Sequence, residues 1–260
     1  EKTVFWVWDY YPISHPSMFV RILRRLYWQF DKFATYSDRV IYLHQRLVEV
    51  RKDHGLFEKN KKCIVVPIGT GHMLPVKKKD FQEIKIGFIG VLKRSQGLGM
   101  VMDSSKVLLK YFKNLSFEII GSGQDDEFFK KKRKISSNVK YNFYGLVSEK
   151  EFKKILYSCT IGIAPYSPEE GTVSRYTDPG KPKRYIEFNL PVITTDVIEI
   201  SKELKENGAG EVIKYNDYED LANAIKKIIK KYGAYIENVR RLHKKYYYRD
   251  IYPSIFGFDR

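Results

Sequence analysis

A lysine and a glutamate four residues apart, Lys183 and Glu187, close a long polar stretch that runs between two apolar segments, APYSPEEGTVSRYTDPGKPKRYIEFNLPVITTD over residues 164–196. Their spacing puts both on one face of a short helix that Pro182 opens. From there the carboxylate can accept two hydrogen bonds from vicinal ribose hydroxyls, while the ammonium and the first-turn N–H groups meet phosphate. An ordinary surface ion pair is the alternative reading of the same spacing. Two glycine-rich turns point to the same chemistry. In KIGFIGVLKRSQGLG (85–99), a strand ends at Gly90 and a helix starts near Gln96 and Gly97. The glycines let the backbone approach a ligand, and Lys93 and Arg94 add mobile positive charge suited to a diphosphate. IIGSGQDD (119–126) repeats the geometry at Gly121 and Gly123. Glycine turns also end parallel strands for structural reasons alone, so neither loop is decisive by itself.

The elements that position these residues are legible in the hydrophobic pattern. From residue 84 onward, short β-branched runs alternate with amphipathic stretches, the pattern of a parallel sheet covered on both faces. Strands are expected at IKIGFIG, SFEIIG, VKYNFYG, TIGIAPY, PVITTD and GEVIKY. Helices are expected over 96–112, 124–134, 148–157, 182–189, 199–206 and 217–231, and a further one over 234–248. Ser148 followed by Glu151 predicts a capping box. The fold class is therefore α/β, with one complete doubly wound parallel sheet. Upstream, TVFWVW, RVIYL and KCIVVP predict three strands, with helices near 17–35 and 44–54. Three strands are too few for a second complete sheet, and residues 68–83, rich in Gly, Pro and charge, read as the linker.

The chain has 260 residues, enough for one large or two ordinary domains. Cys63 and Cys159 sit in apolar runs without Cys-x-x-Cys spacing, which predicts reduced core thiols and a cytoplasmic location. No stretch approaches the roughly 20 apolar residues of a spanning helix. The net charge of +16 suits polyanions: nucleic acid, an acidic bilayer or phosphorylated substrates. Much of the excess lies in lysine-rich helix faces such as KKKRK (130–134), where lysine usage alone can produce it. Nucleic acid is not the expected partner, because the aromatic residues are spread through predicted strands and helices rather than interleaved with lysine in one stripe.

The ordered series GFIGVLKRSQGL, EIIGSG, NFYGLVSEKEFKKIL, IGIAPY and PGKPKRYIEFNLPVI resembles the donor domain of glycosyltransferase family 4, a GT-B fold, over residues 84–231. WVWDYYP and KCIVVPIG resemble the last third of that family's acceptor domain, and the segment from 234 resembles its closing helix. The resemblance implies a Rossmann-like donor domain (84–231) and a partial α/β acceptor domain (1–75) closed by residues 234–260. It also implies sugar transfer from a UDP- or GDP-linked donor with retention, with no metal and no cofactor beyond the sugar nucleotide. Gly90, Lys93, Arg94, Gln96, Gly97, Gly121, Gly123, Thr172, Lys183 and Glu187 would bind the donor. Within that set Lys183 meets the diphosphate and Glu187 the ribose. Asp9, Asp178 and Lys183 would form the catalytic set. The chain departs from the family at several of these places. Val91 and Gln96 stand where many members carry Arg and Lys, a pattern shared with a QGL-containing branch. Pro179 replaces the first of two glutamates, and Trp8 replaces a His before Asp9.

The missing part of the acceptor domain leaves three readings open: a truncated chain, one subunit of a split enzyme, or a binding module. A nucleotide-sugar epimerase on the same fold is a further alternative. The expected partners are a nucleotide sugar, a glycan or lipid-linked acceptor, and a second chain or copy covering the edge at TVFWVW. The helix at 17–35 sets Phe19, Ile22, Leu23, Leu26 and Phe30 on one face beside Arg21, Arg24 and Arg25. It either lies on the anionic inner face of a membrane or packs on the partial sheet.

Overall fold

In the computed structural model, which describes residues 3–55, 63–76, 79, 81–135, 139–169 and 173–256, the strands fall into two parallel sheets. The first has three strands in sequential order: β1 (Val4–Val7), β2 (Arg39–Tyr42) and β3 (Cys63–Val65). Between them run α1 (Met18–Asp31), continued by a 3-10 turn over Lys32–Tyr36, and α2 (Gln45–Asp53). The second sheet contains β4 (Ile84–Ile89), β5 (Leu115–Ile120), β6 (Lys140–Gly145), β7 (Ile161–Ala164), β8 (Val192–Thr195) and β9 (Gly210–Ile213). Its order is β6-β5-β4-β7-β8-β9, so the direction of winding reverses between β4 and β7.

β5, β7 and β8 carry only buried residues, whereas the edge strands β6 and β9 are partly exposed. That contrast follows from helices lying on both faces of a parallel sheet. One face is packed by α3 (Leu98–Asp103), α4 (Ser105–Tyr111), α5 (Asp126–Ile135) and α9 (Tyr218–Lys230), through Met100, Leu108, Phe129 and Ile225. The other is packed by α6 (Glu149–Ser158), α7 (Gly180–Glu187), α8 (Ile200–Glu206) and α10 (Tyr232–Tyr246), through Leu156, Ile186, Leu204 and Leu242.

All six expected strands of this sheet form, and α6 has its cap: Ser148 Oγ accepts the Glu151 N–H at 3.3 Å. The expected helix over 96–112 is broken instead into a 3-10 turn (Arg94–Gln96), α3 and α4. Ser104 lies at the break, its hydroxyl donating to the Val101 carbonyl at 2.6 Å, a local bond that competes with helical continuity. α7 starts at Gly180, so Pro182 falls within its first turn rather than at its start.

The α1 face behaves differently from the packing expectation. Phe19, Ile22, Leu23, Leu26 and Phe30 are exposed by 45% to 68%. Polar anchors set the rotation of the helix. Arg24 donates to the carbonyls of Pro12 and Ser14, Trp28 Nε1 donates to the Tyr11 carbonyl at 3.2 Å, and buried Asp31 pairs with buried Arg51. These residues turn one side of the helix inward and leave the apolar stripe outward.

The chain crosses twice between the sheets, and the crossings are bonded to each other. Thr70 N–H donates to the Tyr246 carbonyl at 2.7 Å, and Tyr248 N–H donates to the Thr70 carbonyl at 3.1 Å. Beyond this point α11 (Tyr248–Ile251) and α12 (Pro253–Phe256) lead the chain onto the small sheet, where Ile251, Tyr252 and Ile255 pack on Ile41 and Val66. Among the described residues, no helix is long and apolar enough to cross a membrane.

Candidate functional site: the crevice between β4 and β7

Strands that wind in opposite directions from a shared boundary leave a crevice at their carboxyl ends, the usual ligand position in open parallel sheets. Here β4 and β7 pair only at Ile86–Ile161 and Gly87–Gly162 and then diverge. Tyr185 of α7 fills the base of the split. Its hydroxyl accepts the Ile89 N–H and donates to the Ile163 carbonyl, both at 3.0 Å, which satisfies two backbone groups that the divergence would otherwise orphan.

One helical turn above Tyr185, on the same face of α7, lies Lys181. Its ammonium donates to Gln96 Oε1 at 2.6 Å and stands 4.3 Å from the Phe88 ring centre and 5.2 Å from that of Tyr166. Gly90, at φ +119°, lies directly against this side chain, and a Cβ there would come within 2.5 Å of Lys181 Cε. No carboxylate among the described residues pairs with Lys181, and burial lowers its pKa to about 7. A cation held in an apolar crevice without a counterion suits an anionic ligand.

The other glycines do a different job. Gly97 adopts φ +77°, and a Cβ there would fall 1.6 Å from the Pro165 carbonyl oxygen. Gly121 abuts the Gly90 carbonyl and Gly123 abuts Leu92. These three let the loops after β4, β5 and β7 pack backbone to backbone, and of the four only Gly90 borders Lys181. Arg94 turns away from the crevice, onto the Phe128 ring at 4.3 Å and beside Asp125, while Lys93 is exposed.

Lys183 and Glu187 do share a face, but it is turned away from Lys181. Residues two apart on a helix point about 200° from one another. Lys183 is 2% exposed, 3.3 Å from Asp178 Oδ2 and 3.4 Å above the Tyr246 ring; burial lowers its pKa to about 8 against the pull of Asp178. The Asp178 carboxylate also accepts the Ile68 N–H at 2.7 Å. Glu187 accepts the Gly71 N–H at 2.5 Å and an Arg184 N–H at 2.6 Å. This second face of α7 therefore holds the crossing segment, and the structure does not bring Glu187, Asp178 or Lys183 to the ammonium of Lys181. Asp9, after β1, accepts the Tyr11 hydroxyl at 3.3 Å. Thr172 lies outside the described residues.

Beside the crevice, along the carboxyl ends of β7, β8 and β9, runs a cleft of about 1090 Å³. Pro12 and Ser14 of the small unit face Glu169, Tyr176, Asp196 and Lys214 across it. Tyr176 makes an edge contact with Tyr10, 4.6 Å between ring centres, and so brings the loop before α7 against the small unit.

Residues 83–231 match the family model of group 1 glycosyl transferases, more than half of the chain, and the chain belongs to that family. A mutant of TarM from S. aureus, solved with fondaparinux, α-GlcNAc-glycerol and UDP, superposes with a TM-score of 0.71 at 13% identity, over 98% of this chain and 51% of its own. Sucrose-phosphate synthase from Thermosynechococcus elongatus gives 0.66 at 16% identity, over 98% and 68%. The UDP-forming α,α-trehalose-phosphate synthase from Burkholderia vietnamiensis gives 0.61 at 11%, over 98% and 66%. At such identities the likeness establishes the fold, which is GT-B. The chain spans about half the length of TarM. No curated protein sequence matches it.

Lys181 and Tyr185 escaped the sequence reading although their spacing equals that of Lys183 and Glu187. Periodicity pairs residues on a face without saying which face meets the sheet. The contact of Lys181 with Gly90 and Gln96 decides it.

Proposed function

We propose that the crevice binds the diphosphate of a UDP- or GDP-linked sugar and that the chain serves transfer of that sugar, with retention, to a glycan or lipid-linked acceptor. The observation that supports this most is Lys181, an ammonium without a counterion at the carboxyl end of β4. A diphosphate would supply the missing anion, and the same contact would stabilise the charge that develops on the leaving nucleotide. In this reading Lys181 takes the phosphate role and Lys183 fixes α7 in place by pairing with Asp178. The cleft along β7 to β9 is large enough for the rest of a sugar nucleotide. No metal and no further cofactor belongs to the proposal. Calorimetry with UDP and GDP tests it: binding by the parent protein and its loss in Lys181→Met is the expected result. Equal affinity in the two proteins would remove the crevice from the donor site.

A second observation concerns the surface of the small sheet. The stripe of α1 is exposed, as are Val4 and Phe5 of β1, which among the described residues is an unpaired edge strand of the small sheet. An open strand edge offers unpaired backbone groups that a bilayer cannot pair, whereas another α/β segment can. We therefore read this face as the seat of further α/β polypeptide. Vesicle sedimentation separates the alternatives. Salt-sensitive binding to anionic vesicles that is lost in an Arg21→Gln, Arg25→Gln double variant would replace this reading with a membrane contact.

A further inference from the structure

The helices α3, α4, α5 and α9, on one face of the six-stranded sheet, carry more cations than their carboxylates can hold. Asp103 pairs with Lys132 at 2.5 Å, Glu127 with Lys130 at 3.0 Å and Glu219 with Lys110 at 4.0 Å, while Lys227 reaches Glu211 of β9 at 2.8 Å. Asp126 and Asp220, the remaining acids of these helices, are taken by backbone: they accept the Gly123 N–H at 2.6 Å and the Lys214 N–H at 2.9 Å. What is left over is exposed and has no carboxylate partner among the described residues. It comprises Lys106 and Lys113 at the two ends of α4, Lys131 and Arg133 on α5, and Lys230 and Lys231 at the end of α9.

Three properties of this surplus indicate the anion it meets. It is spread out: α4 packs against α9 and α3 against α5, so the cations share one broad helical layer rather than a groove. It is lysine with a single arginine, and lysine is a hydrated point charge that attracts anions without fixing their geometry. Finally, it lacks the parts that grip single nucleotides. Tyr111, the exposed ring between α4 and α9, is already covered by Lys226 Nζ, 3.1 Å from its centre, and donates to Glu219 at 2.9 Å. The first turns of α5 and α9 follow the carboxyl ends of β5 and β9, so their unpaired N–H groups lie at the crevice edge of the sheet, away from Lys113, Arg133, Lys230 and Lys231. Nucleic acid draws on free rings and main-chain donors. A plane of anionic headgroups needs neither.

We propose that the α4–α5–α9 layer is a docking surface for an anionic lipid bilayer, held by charge and lying on the headgroups without inserting. The crevice opens at the carboxyl edge of the sheet, roughly at right angles to this layer, so docking leaves it open. The proposal does not depend on the diphosphate assignment or on the reading of α1, and each fails separately.

The test is sedimentation of the full chain with vesicles of phosphatidylcholine alone and of equal parts phosphatidylcholine and phosphatidylglycerol. Binding is expected to the mixed vesicles only, and to disappear between about 0.1 M and about 1 M NaCl as the Debye length falls from about 10 to about 3 Å. Each basic residue near the surface is worth about fivefold in partitioning, so a Lys106→Gln, Lys131→Gln, Lys230→Gln triple variant should bind about 100-fold more weakly at about 0.1 M. These are exposed positions, and the variant should melt with the parent. A triple variant with the same loss of charge on the opposite face, Lys150→Gln, Lys154→Gln, Arg240→Gln, should lose no more than about threefold, since screening limits attraction from that distance. The Arg21→Gln, Arg25→Gln variant of α1 should also keep its binding. Failure to bind the mixed vesicles, equal losses in the two triple variants, or displacement from the vesicles by a single-stranded oligonucleotide at equal phosphate concentration would overturn the proposal.

Discussion

Lys181 and Lys183 stand two residues apart on one helix and have opposite surroundings. Lys183 is closed in by Asp178 and the Tyr246 ring, and its pair holds the crossing segment through Ile68. Lys181 has an amide oxygen and two aromatic rings for company and, among the described residues, no carboxylate. A fully buried ammonium with its own counterion is architecture, and a partly exposed one without is suited to a ligand that brings the charge. α7 therefore works as a partition. Its Lys181–Tyr185 face completes the crevice, and its Lys183–Glu187 face ties down the junction between the two sheets.

The harshest way to break this contrast is Lys183→Met. Removing one member of a buried pair leaves the Asp178 carboxylate uncompensated, and a loss of about 3 to 5 kcal/mol in unfolding free energy is expected by denaturant titration. The protein that remains folded should bind UDP almost as the parent does. A variant of full stability would show that Lys183 and Asp178 are not coupled as described.

Lys181→Met should act in the opposite sense. Stability at pH 6 should hold or rise, because a desolvated charge is gone, while UDP affinity should fall about 10- to 100-fold, the worth of one or two charge-assisted phosphate contacts. Calorimetry reads the affinity and denaturant titration the stability. A loss of stability with unchanged affinity would reverse the roles of the two lysines.

The pH dependence of Lys181 comes next in size. Its pKa is about 7 in the folded chain against an ordinary value of 10.5. Above 10.5 neither state holds the proton and the residue costs nothing. Between 10.5 and 7 the unfolded chain holds the proton and the folded chain does not, so stability falls as pH falls, by up to about 1.4 kcal/mol per unit. Below 7 both states are protonated and the cost is constant. Parent and Lys181→Met should therefore converge in stability as pH rises from 7 toward 10.5. UDP affinity of the parent should weaken as pH rises above 7, with proton uptake on binding visible as a dependence of the calorimetric heat on the buffer's ionisation enthalpy.

The six-stranded sheet was legible because parallel strands buried on both faces leave unbroken apolar runs such as LSFEII, and the glycine turns mark where each run ends. The small sheet was legible as strands, but the rotation of α1 was not. A helix with a strong apolar stripe reads as core-facing, and Arg24, Trp28 and Asp31 override that only through partners distant in sequence: Pro12, Tyr11 and Arg51. The glycines drew attention to the right loops for a partly different reason, since Gly97, Gly121 and Gly123 admit neighbouring backbone.

The smallest expected effect sharpens the contrast most, because it concerns Glu187, the residue that spacing alone assigns to a ribose. Its carboxylate already receives the Gly71 N–H and an Arg184 N–H, and its backbone carbonyl accepts the Leu74 N–H at 2.9 Å. Asn189 completes the clasp by donating to the Leu74 carbonyl at 2.6 Å. To bind a ribose, Glu187 would have to exchange bonds that hold residues 71–74 for bonds to the ligand. Glu187→Gln keeps the shape, halves the acceptor strength toward Gly71 and Arg184, and should lower stability by about 1 to 2 kcal/mol. UDP affinity should change by no more than about twofold, the size of error in a single hydrogen bond's worth. Glu149→Gln, whose side chain meets Arg184 at the surface, is the matched control and should be near neutral in both measurements. A tenfold drop in UDP affinity for Glu187→Gln, with stability unchanged, would mean that the clasp opens when a nucleotide arrives and that the two faces of α7 serve the ligand in turn.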